Sequence, residues 1–237
     1  MKSVGEIDKL WRYPVKSLLG ESRTELSIDR RGVVGDRWLA IRDSNGKFGS
    51  GKNTRRFRKI DRLFELQAQY KDDVLLITFP DGRVIRVIRG DDESIDRELS
   101  EVLGQPVTLA VEQKIPHFDA GSLHLVTSAS LKWLQSLLTN SVIDERRFRP
   151  NFLIKLPGED LVEHQWIGKK LKIGRELEVK ITGLTERCAM VSFQQQELSH
   201  DLEIIKTIRQ NSNFNFGVYA KVLKEGVARV GDRVNLF

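Results

Sequence analysis

Short stretches in which apolar residues alternate with polar ones, or crowd into β-branched and aromatic runs, recur along most of this chain. Alternation of this kind puts every second side chain on one face of a strand. It predicts strands over residues 4–13, 38–41, 63–70, 74–79, 84–88, 107–111, 124–127, 152–156, 177–182, 217–223 and 227–236. Residues 74–79 and 84–88 flank Pro80-Asp81-Gly82-Arg83, where the Asp-Gly step supplies the backbone conformation of a short hairpin turn. Asp43-Ser44-Asn45-Gly46 predicts a second turn after Trp38-Leu39-Ala40-Ile41.

Helical spacing is confined to three places. Ile95, Leu99, Val102 and Leu103 share one face, with Gly104 where a helix stop is expected. Ser128 can cap a helix whose stripe is Leu131, Leu134 and Leu138, with Trp133 at its edge. Leu202, Ile204, Ile205 and Ile208 predict a third helix. Many short strands punctuated by turns favour barrels or sandwiches over a doubly wound sheet, so the predicted class is mostly β (α+β) with a few helices. The stretch 112–122, with Pro116 and Gly121, is the best candidate boundary, dividing the chain into residues 1–115 and 116–237. Internal repeats, low-complexity tracts and flexible linkers are absent from the sequence.

Composition narrows the setting. The 237 residues can bury a sizeable core as one large or two small domains, and 40% hydrophobic with 30% charged residues excludes wholesale disorder. The first residues mix charge into their apolar run, unlike a signal peptide, and no stretch approaches the roughly 20 apolar residues of a membrane span. One cysteine cannot form an internal disulfide, and a lone thiol fits a reducing compartment. The expectation is a cytoplasmic protein with no membrane association. Its net charge of +6 is concentrated in residues 47–62, where seven basic residues face one acid, Asp61. That segment is either a solvated basic loop or an anion site for a phosphate, a phosphorylated cofactor or nucleic acid.

Several chemistries lack their patterns. His117, His124, His164 and His200 have no short spacing, and a single cysteine leaves too few ligands for a zinc site. Dinucleotide-binding, Walker and nucleophile-elbow motifs do not occur. Cys188 remains, in Leu184-Thr185-Glu186-Arg187-Cys188-Ala189-Met190 at a predicted strand end. A lone cysteine is most often a buried small hydrophobe. Here the flanks are polar, and the adjacent Arg187 favours the thiolate that attacks electrophiles or binds metal. A second string, Arg146-Arg147-Phe148-Arg149-Pro150-Asn151-Phe152, can present alternating arginines to phosphate or carboxylate, or form surface ion pairs with Asp144 and Glu145. A third, Tyr13-Pro14-Val15-Lys16-Ser17, ends a strand at a proline and presents a lysine and a hydroxyl, or is an ordinary turn.

Together with Gly35-Asp36-Arg37-Trp38-Leu39, His117-Phe118-Asp119, Leu125-Val126-Thr127-Ser128-Ala129-Ser130-Leu131 and Glu163-His164-Gln165-Trp166, these strings resemble the MOSC family with its N-terminal β-barrel companion domain. They occur in the family's order and reach the closing Val230-Gly231-Asp232-Arg233-Val234, so the resemblance covers nearly the whole chain. It implies a MOSC-type barrel over residues 1–115 and a MOSC domain over 116–237. It further implies a molybdenum cofactor (molybdopterin), with Cys188 as the metal ligand and catalytic residue. Lys16, Ser17, Arg37, Thr127, Ser128, Arg149, Asn151 and Arg187 would hold the pterin and its phosphate. A soft thiolate suits such a metal, and cations and hydroxyls suit an anionic ligand.

The family reading implies an oxidoreductase that reduces N-hydroxylated or related N–O small molecules. Its electrons would come from a separate ferredoxin- or flavin-reductase-like carrier, because one cysteine cannot hold an iron–sulfur cluster and the length leaves no room for a pyridoxal-phosphate domain. One departure stands out: relatives continue after the cysteine with hydroxyl residues and then Val-Asp-Pro, whereas this chain reads Val191-Ser192-Phe193-Gln194-Gln195. Gln194 cannot ionise or move a proton. That substitution motivates a second reading, a cofactor or sulfur carrier that uses Cys188 without redox turnover. Nucleic-acid binding through residues 47–62 is the least favoured, since Phe48 and Phe57 serve equally well as core anchors.

Overall fold

The computed structural model describes residues 2–88 and 92–237. The first half runs β1 (Lys2–Arg12), β2 (Val15–Lys16), β3 (Glu21–Arg23), β4 (Glu25–Asp29), β5 (Gly32–Val33), β6 (Leu39–Asp43), β7 (Phe48–Ser50) and β8 (Phe57–Lys59). There follow β9 (Gln67–Lys71), β10 (Val74–Thr78), β11 (Val84–Val87), α1 (Asp92–Leu103) and β12 (Val107–Val111). The second half holds β13 (Leu123–Thr127), α2 (Ser128–Leu137), β14 (Phe152–Lys155), β15 (Lys170–Ile173) and β16 (Leu177–Glu186). It ends with α3 (Leu202–Ser212), β17 (Asn215–Lys224), β18 (Gly226–Arg229) and β19 (Arg233–Leu236). The protein is mostly β, as the patterning predicts.

Seven strands close into a barrel in the order β14-β13-β17-β16-β15-β19-β1, with β1 returning to β14. Closure leaves no free edge among these strands. On one side of β1, Ile7 sits opposite Ile154 and Leu10 opposite Phe152. On the other, Gly5 sits opposite Val234. The interior is packed with Ile7, Leu10, Leu125, Phe152, Ile154, Ile181 and Val218, all buried. Leu26, Ile28 and Val33 join the same core. The ladder therefore runs across the boundary expected near residue 115: strands from the first 33 residues complete a barrel built from the second half.

β13 is buried on both faces. Leu123 and Leu125 enter the barrel, while Val126 faces a separate core with Leu134, Phe148, Val191, Ile204, Ile208 and Phe216, under α2 and α3. A strand covered on both sides reads as a continuous apolar run. The third core belongs to the first half. β2, β6, β7, β8 and β12 form one sheet and β9–β11 another, and α1 packs Ile95, Leu99 and Leu103 against them.

Local differences from the sequence reading have physical reasons. Residues 227–236 form two strands, because Gly231 at φ +86° turns the chain between β18, which pairs with β4, and β19, which pairs with β1 and β15. Residues 63–65 make a 3-10 turn entered through Arg62 at φ 69°, burying Leu63 and Phe64, so only Gln67–Lys71 is strand. Thr127, not Ser128, caps α2: its side chain accepts the Ser130 N–H at 3.1 Å. Ser128 instead donates to the Leu156 carbonyl (3.0 Å) and accepts its N–H (3.1 Å). No helix among the described residues is long and apolar enough to cross a membrane.

Gly217 in β17 adopts φ +82°, and a Cβ there would meet His124 Nε2 at 2.6 Å and the Leu125 carbonyl at 2.8 Å. Gly217→Ala is expected to lose about 2–4 kcal/mol, read as a lowered urea midpoint at unchanged m-value.

Candidate functional site

The barrel and the first-half core meet where β1 ends. Pro14 stops the strand, and the chain turns through Val15, Lys16 and Ser17 to pair in parallel with β6. Ser17 has φ 68°, and the two arginines facing this turn, Arg37 and Arg149, have φ 53° and 54°. Left-handed backbone is unfavourable for such side chains and concentrates where a site is over-determined by its surroundings.

Tyr13 organises the cluster. Its N–H donates to Asp36 Oδ1 at 2.7 Å, and its carbonyl accepts the Arg37 N–H at 2.7 Å. The guanidiniums of Arg149 and Arg37 lie 4.2 and 4.9 Å from the centroid of its buried ring. Burial, opposed by these two cations, raises the phenol well above its ordinary range. Asp36 is wholly buried and is ion-paired to Arg37. Lys16, also buried, donates to the His117 carbonyl (2.7 Å) and to Asp119 Oδ1 (2.6 Å). Burial lowers the Lys16 ammonium despite Asp119. Burial alone would raise Asp119, but Lys16, with Arg37 and Arg149, holds its carboxyl below the usual range.

Arg149 and Arg187 differ from these paired cations. Arg149 donates from Nη1 to the Leu18 carbonyl (2.6 Å), but its Nη2 is buried without a partner. Burial, reinforced by Arg37, pulls its pKa down to about 10. Arg187 donates from Nη2 to the Phe148 carbonyl (2.7 Å), with Nη1 3.4 Å from His124 Nε2, and its buried Nε has no partner. Neither arginine has a carboxylate within ion-pair distance among the described residues. His124 Nδ1 lies 3.3 Å from the Arg149 carbonyl. Burial and Arg187 push this imidazole far below its ordinary range, so the ring is neutral, and a proton on Nδ1 satisfies both contacts.

Cys188 follows directly, partly buried at the start of a 3-10 turn over Ala189–Ser192. Its placement in a loop after β16 fits the polar flanks. The loop beyond it is held by Arg147, which is 1% exposed and donates to four carbonyls: Val142 (3.1 Å), Val191 (3.4 Å), Phe193 (3.3 Å) and Ser199 (2.9 Å). The 3-10 turn over Glu145–Phe148 breaks the extended alternation expected here. It sends Arg147 into this carbonyl cage and Arg149 to Tyr13, while Arg146 pairs with Asp144 (2.8 Å) and Glu197 (2.6 Å).

The structure thus gathers Lys16, Arg37, Arg149 and Arg187 around Tyr13 and Asp119, with Cys188 beside Arg187. Ser17 lies in the same turn, its Oγ donating to the Gly49 carbonyl at 2.8 Å. Other residues are placed elsewhere. Thr127 Oγ1 donates to the buried Glu163 carboxylate at 2.8 Å, and Ser128 sits on a groove with Lys132 and Lys155. Asn151 ties the barrel: its Oδ1 accepts the His124 N–H (3.1 Å) and its Nδ2 donates to the Trp11 carbonyl (3.3 Å). Asp36 and Asp119 lie inside strings that carry Arg37 and His117, which is the signal that could have found them; His124 is legible in sequence as a histidine without metal-ligand spacing, and Tyr219, whose ring centroid lies 5.6 Å from that of His124, has no sequence signal.

Residues 47–62 are not a free loop. Phe48 is buried, Arg58 pairs with Asp43 (2.9 Å), and Arg56 Nη2 donates to the Pro116 and Phe118 carbonyls (2.8 and 3.0 Å), bracing the segment that carries Asp119. At its inner end Ser50 Oγ lies 3.5 Å from the Met190 sulfur, and a Cβ on Gly51 would fall 2.5 Å from the Phe193 ring.

Orphaned donors on two buried guanidiniums fit an anionic ligand rich in oxygen acceptors. A metal here would draw on Cys188 and on ligands brought with it, since the described residues hold no cluster of three or more His, Cys, Asp or Glu side chains. Both properties agree with a pterin that carries its own sulfur ligands and a phosphate.

Comparison with known proteins shows the family. The MOSC domain profile matches residues 112–235, and the MOSC N-terminal beta barrel domain profile matches residues 4–140. The chain is 24% identical over 288 aligned positions to mitochondrial amidoxime reducing component 2 of Rattus norvegicus, covering 99% of this chain and 84% of that protein. It is 29% identical over 103 residues to the molybdenum cofactor sulfurase of Bombyx mori, covering 40% of this chain and 12% of that protein. The crystal structure of the YUAD protein from Bacillus subtilis superposes with a TM-score of 0.51 at 12% identity, over 98% of this chain and 95% of that one, showing a shared fold.

Two outcomes follow from the geometry. Arg147→Met removes the donors for four carbonyls and is expected to destabilise by about 2–4 kcal/mol. Amide exchange in residues 189–199 and alkylation of Cys188 should both accelerate. His117 is fully buried, and burial lowers its pKa to about 4. The unfolded chain binds this proton at higher pH than the folded one. Stability is therefore held above about pH 6.5 and falls by about 3 kcal/mol as pH drops toward 4. A His117→Gln variant should show a correspondingly flatter pH profile in urea titrations.

Proposed function

This chain belongs to the MOSC family, and from that premise we propose that it binds the molybdenum cofactor and reduces N-hydroxylated or related N–O small molecules. The observation that carries the reading is the uncompensated charge of Arg149 and Arg187. Desolvating a cation without a counter-ion costs several kcal/mol, so two of them in one cluster favour an anion strongly. Arg149 Nη2 and Arg187 Nε would donate to the phosphate or pterin oxygens. Lys16 and Arg37, already paired, would add long-range attraction. Cys188 would ligate the metal as a soft thiolate. When bound, the group supplies two-electron redox chemistry at molybdenum. The chain's share is to bind and orient the group and to hold His124 neutral beside it. Electrons would come from a separate carrier protein.

Gln194 motivates a second reading, a cofactor or sulfur carrier without turnover. Its amide stands where relatives carry an acid, and it is solvent-exposed on the loop after Cys188.

Protein purified from molybdenum-replete cells is expected to carry molybdenum and pterin at close to one per chain. Cys188→Ala should lose most of the metal, and Arg149→Gln should weaken pterin retention by about 30-fold or more, with unchanged circular dichroism. Absence of both metal and pterin from folded protein overturns the proposal. A persulfide on Cys188 without reductase activity supports the carrier reading instead.

A further inference from the structure

A cavity of about 680 Å³ lies between the first-half core and the loop that follows Cys188. One wall is the segment from Lys59 to Pro80, and the other is Met190, Phe193, Gln194, Gln196 and His200. Its size suits a drug-sized molecule. Three features of its lining define what it would take.

The apolar part of the lining sets three phenylalanines, Phe64, Phe79 and Phe193, among the aliphatic Leu19, Ile60, Leu63 and Met190. Phe64 and Phe79 are buried in the floor, and Phe193 stacks on His200, with ring centroids 5.9 Å apart and planes inclined by 21°. Aromatic walls of this kind favour a flat ring between them. The four full charges of the lining are already paired: Lys59 with Asp61 at 3.3 Å and Arg62 with Glu65 at 2.9 Å. A charged ligand would have to compete with these pairs for a partner. The remaining polar side chains are Thr78, His200 and three neutral amides, and the amides are held in different ways. Gln67 donates from Nε2 to the Gly20 carbonyl (3.2 Å), and its amide oxygen accepts from no described residue. The amide oxygen of Gln196 accepts from Arg146 Nη1 (3.2 Å), which leaves its NH2 to donate. Gln194 offers both a donor and an acceptor.

We infer that this cavity binds a neutral, flat aromatic or heteroaromatic molecule bearing an amide-like donor–acceptor pair, and that Gln194 selects against a cationic one. Substituting an acid at Gln194 would provide an unpaired charge in the lining and reverse that choice. As a statement about substrate the inference rests on the redox reading of Cys188, whose turn contributes Met190 to the wall. As a statement about binding it does not.

The test uses three isosteres that differ in charge: 2-naphthamide, 2-naphthamidine and 2-naphthoate, titrated into the full chain as purified and followed by ligand-observed NMR. Naphthamide is expected to bind about tenfold tighter than either ion, a difference of about 1.4 kcal/mol. Gln194→Glu should shift the preference to the amidine by a similar factor, and Gln194→Trp should abolish naphthamide binding by filling the cavity. Gln194 is exposed, so neither substitution disturbs a core. Equal or tighter binding of an ion to the unmodified chain, no binding of any of the three, or unchanged naphthamide binding in the Trp variant each overturns the inference. Molybdenum and pterin content, measured on the same preparation, reports separately on the redox reading: naphthamide binding without cofactor sinks that reading and leaves the site, and cofactor without naphthamide binding does the reverse.

Discussion

The structure depends on one strand being shared. β1 lies between β14 and β19, so the barrel of the second half is closed by a segment from the beginning of the first. The geometry of the site follows from this pairing. Because the ladder fixes Leu10 opposite Phe152, the chain leaves the barrel beside Asn151, whose side chain bonds the Trp11 carbonyl. Pro14 then stops the strand, and Tyr13, Lys16 and Ser17 are delivered to the mouth where Arg149 and Arg187 arrive from the other half. Without β1 the cations would have neither the Tyr13 ring nor the Lys16–Asp119 pair around them.

Two opposing demands are balanced around that mouth. Packing wants the junction dry, as the buried Asp36, His117 and Thr185 show. Anion binding wants cations there. The compromise is graded. Arg147 is fully buried but satisfied by four carbonyls. Arg37 is satisfied by Asp36. Of the four cations gathered around Tyr13 and Asp119, Arg149 and Arg187 are the two that keep a buried donor without a partner, and those two atoms mark where the cluster is incomplete by itself.

Much of this was legible in the sequence, for reasons that also explain what was not. Strong alternation and the Asp81-Gly82 turn identified β10 and β11, and the apolar spacing of 95–103 identified α1. Glu21–Arg23 is short and polar at the end of its sheet, and Lys170–Ile173, although paired on both sides with Leu171 and Ile173 in the core, is four residues long; periodicity cannot register three or four residues. The cation cluster was legible as separate strings, since each carries its arginine or lysine in an unusual local context. Which arginine does what was not. Arg147 and Arg149 are two residues apart, and only a 3-10 turn with left-handed exit, a tertiary outcome, sends them in opposite directions. Thr127, Ser128 and Asn151 share the polarity of a ligand set but have their hydrogen bonds directed into the barrel and the α2 cap.

The shared strand also sets an order on folding. The core of β6–β12 and α1 is drawn from residues 15–107 and can consolidate while the rest of the chain is still being made. β1 cannot: its partners Ile154 and Val234 are more than a hundred residues away, and loop closure over such separations is slow. During synthesis the strand therefore waits with its edge unpaired, an invitation to pair with a neighbouring chain. Its sequence carries a guard against this, because Lys2, Glu6, Asp8, Lys9 and Arg12 interrupt the apolar positions with charge. The same strand that completes the barrel is thus the segment whose solubility must be protected longest.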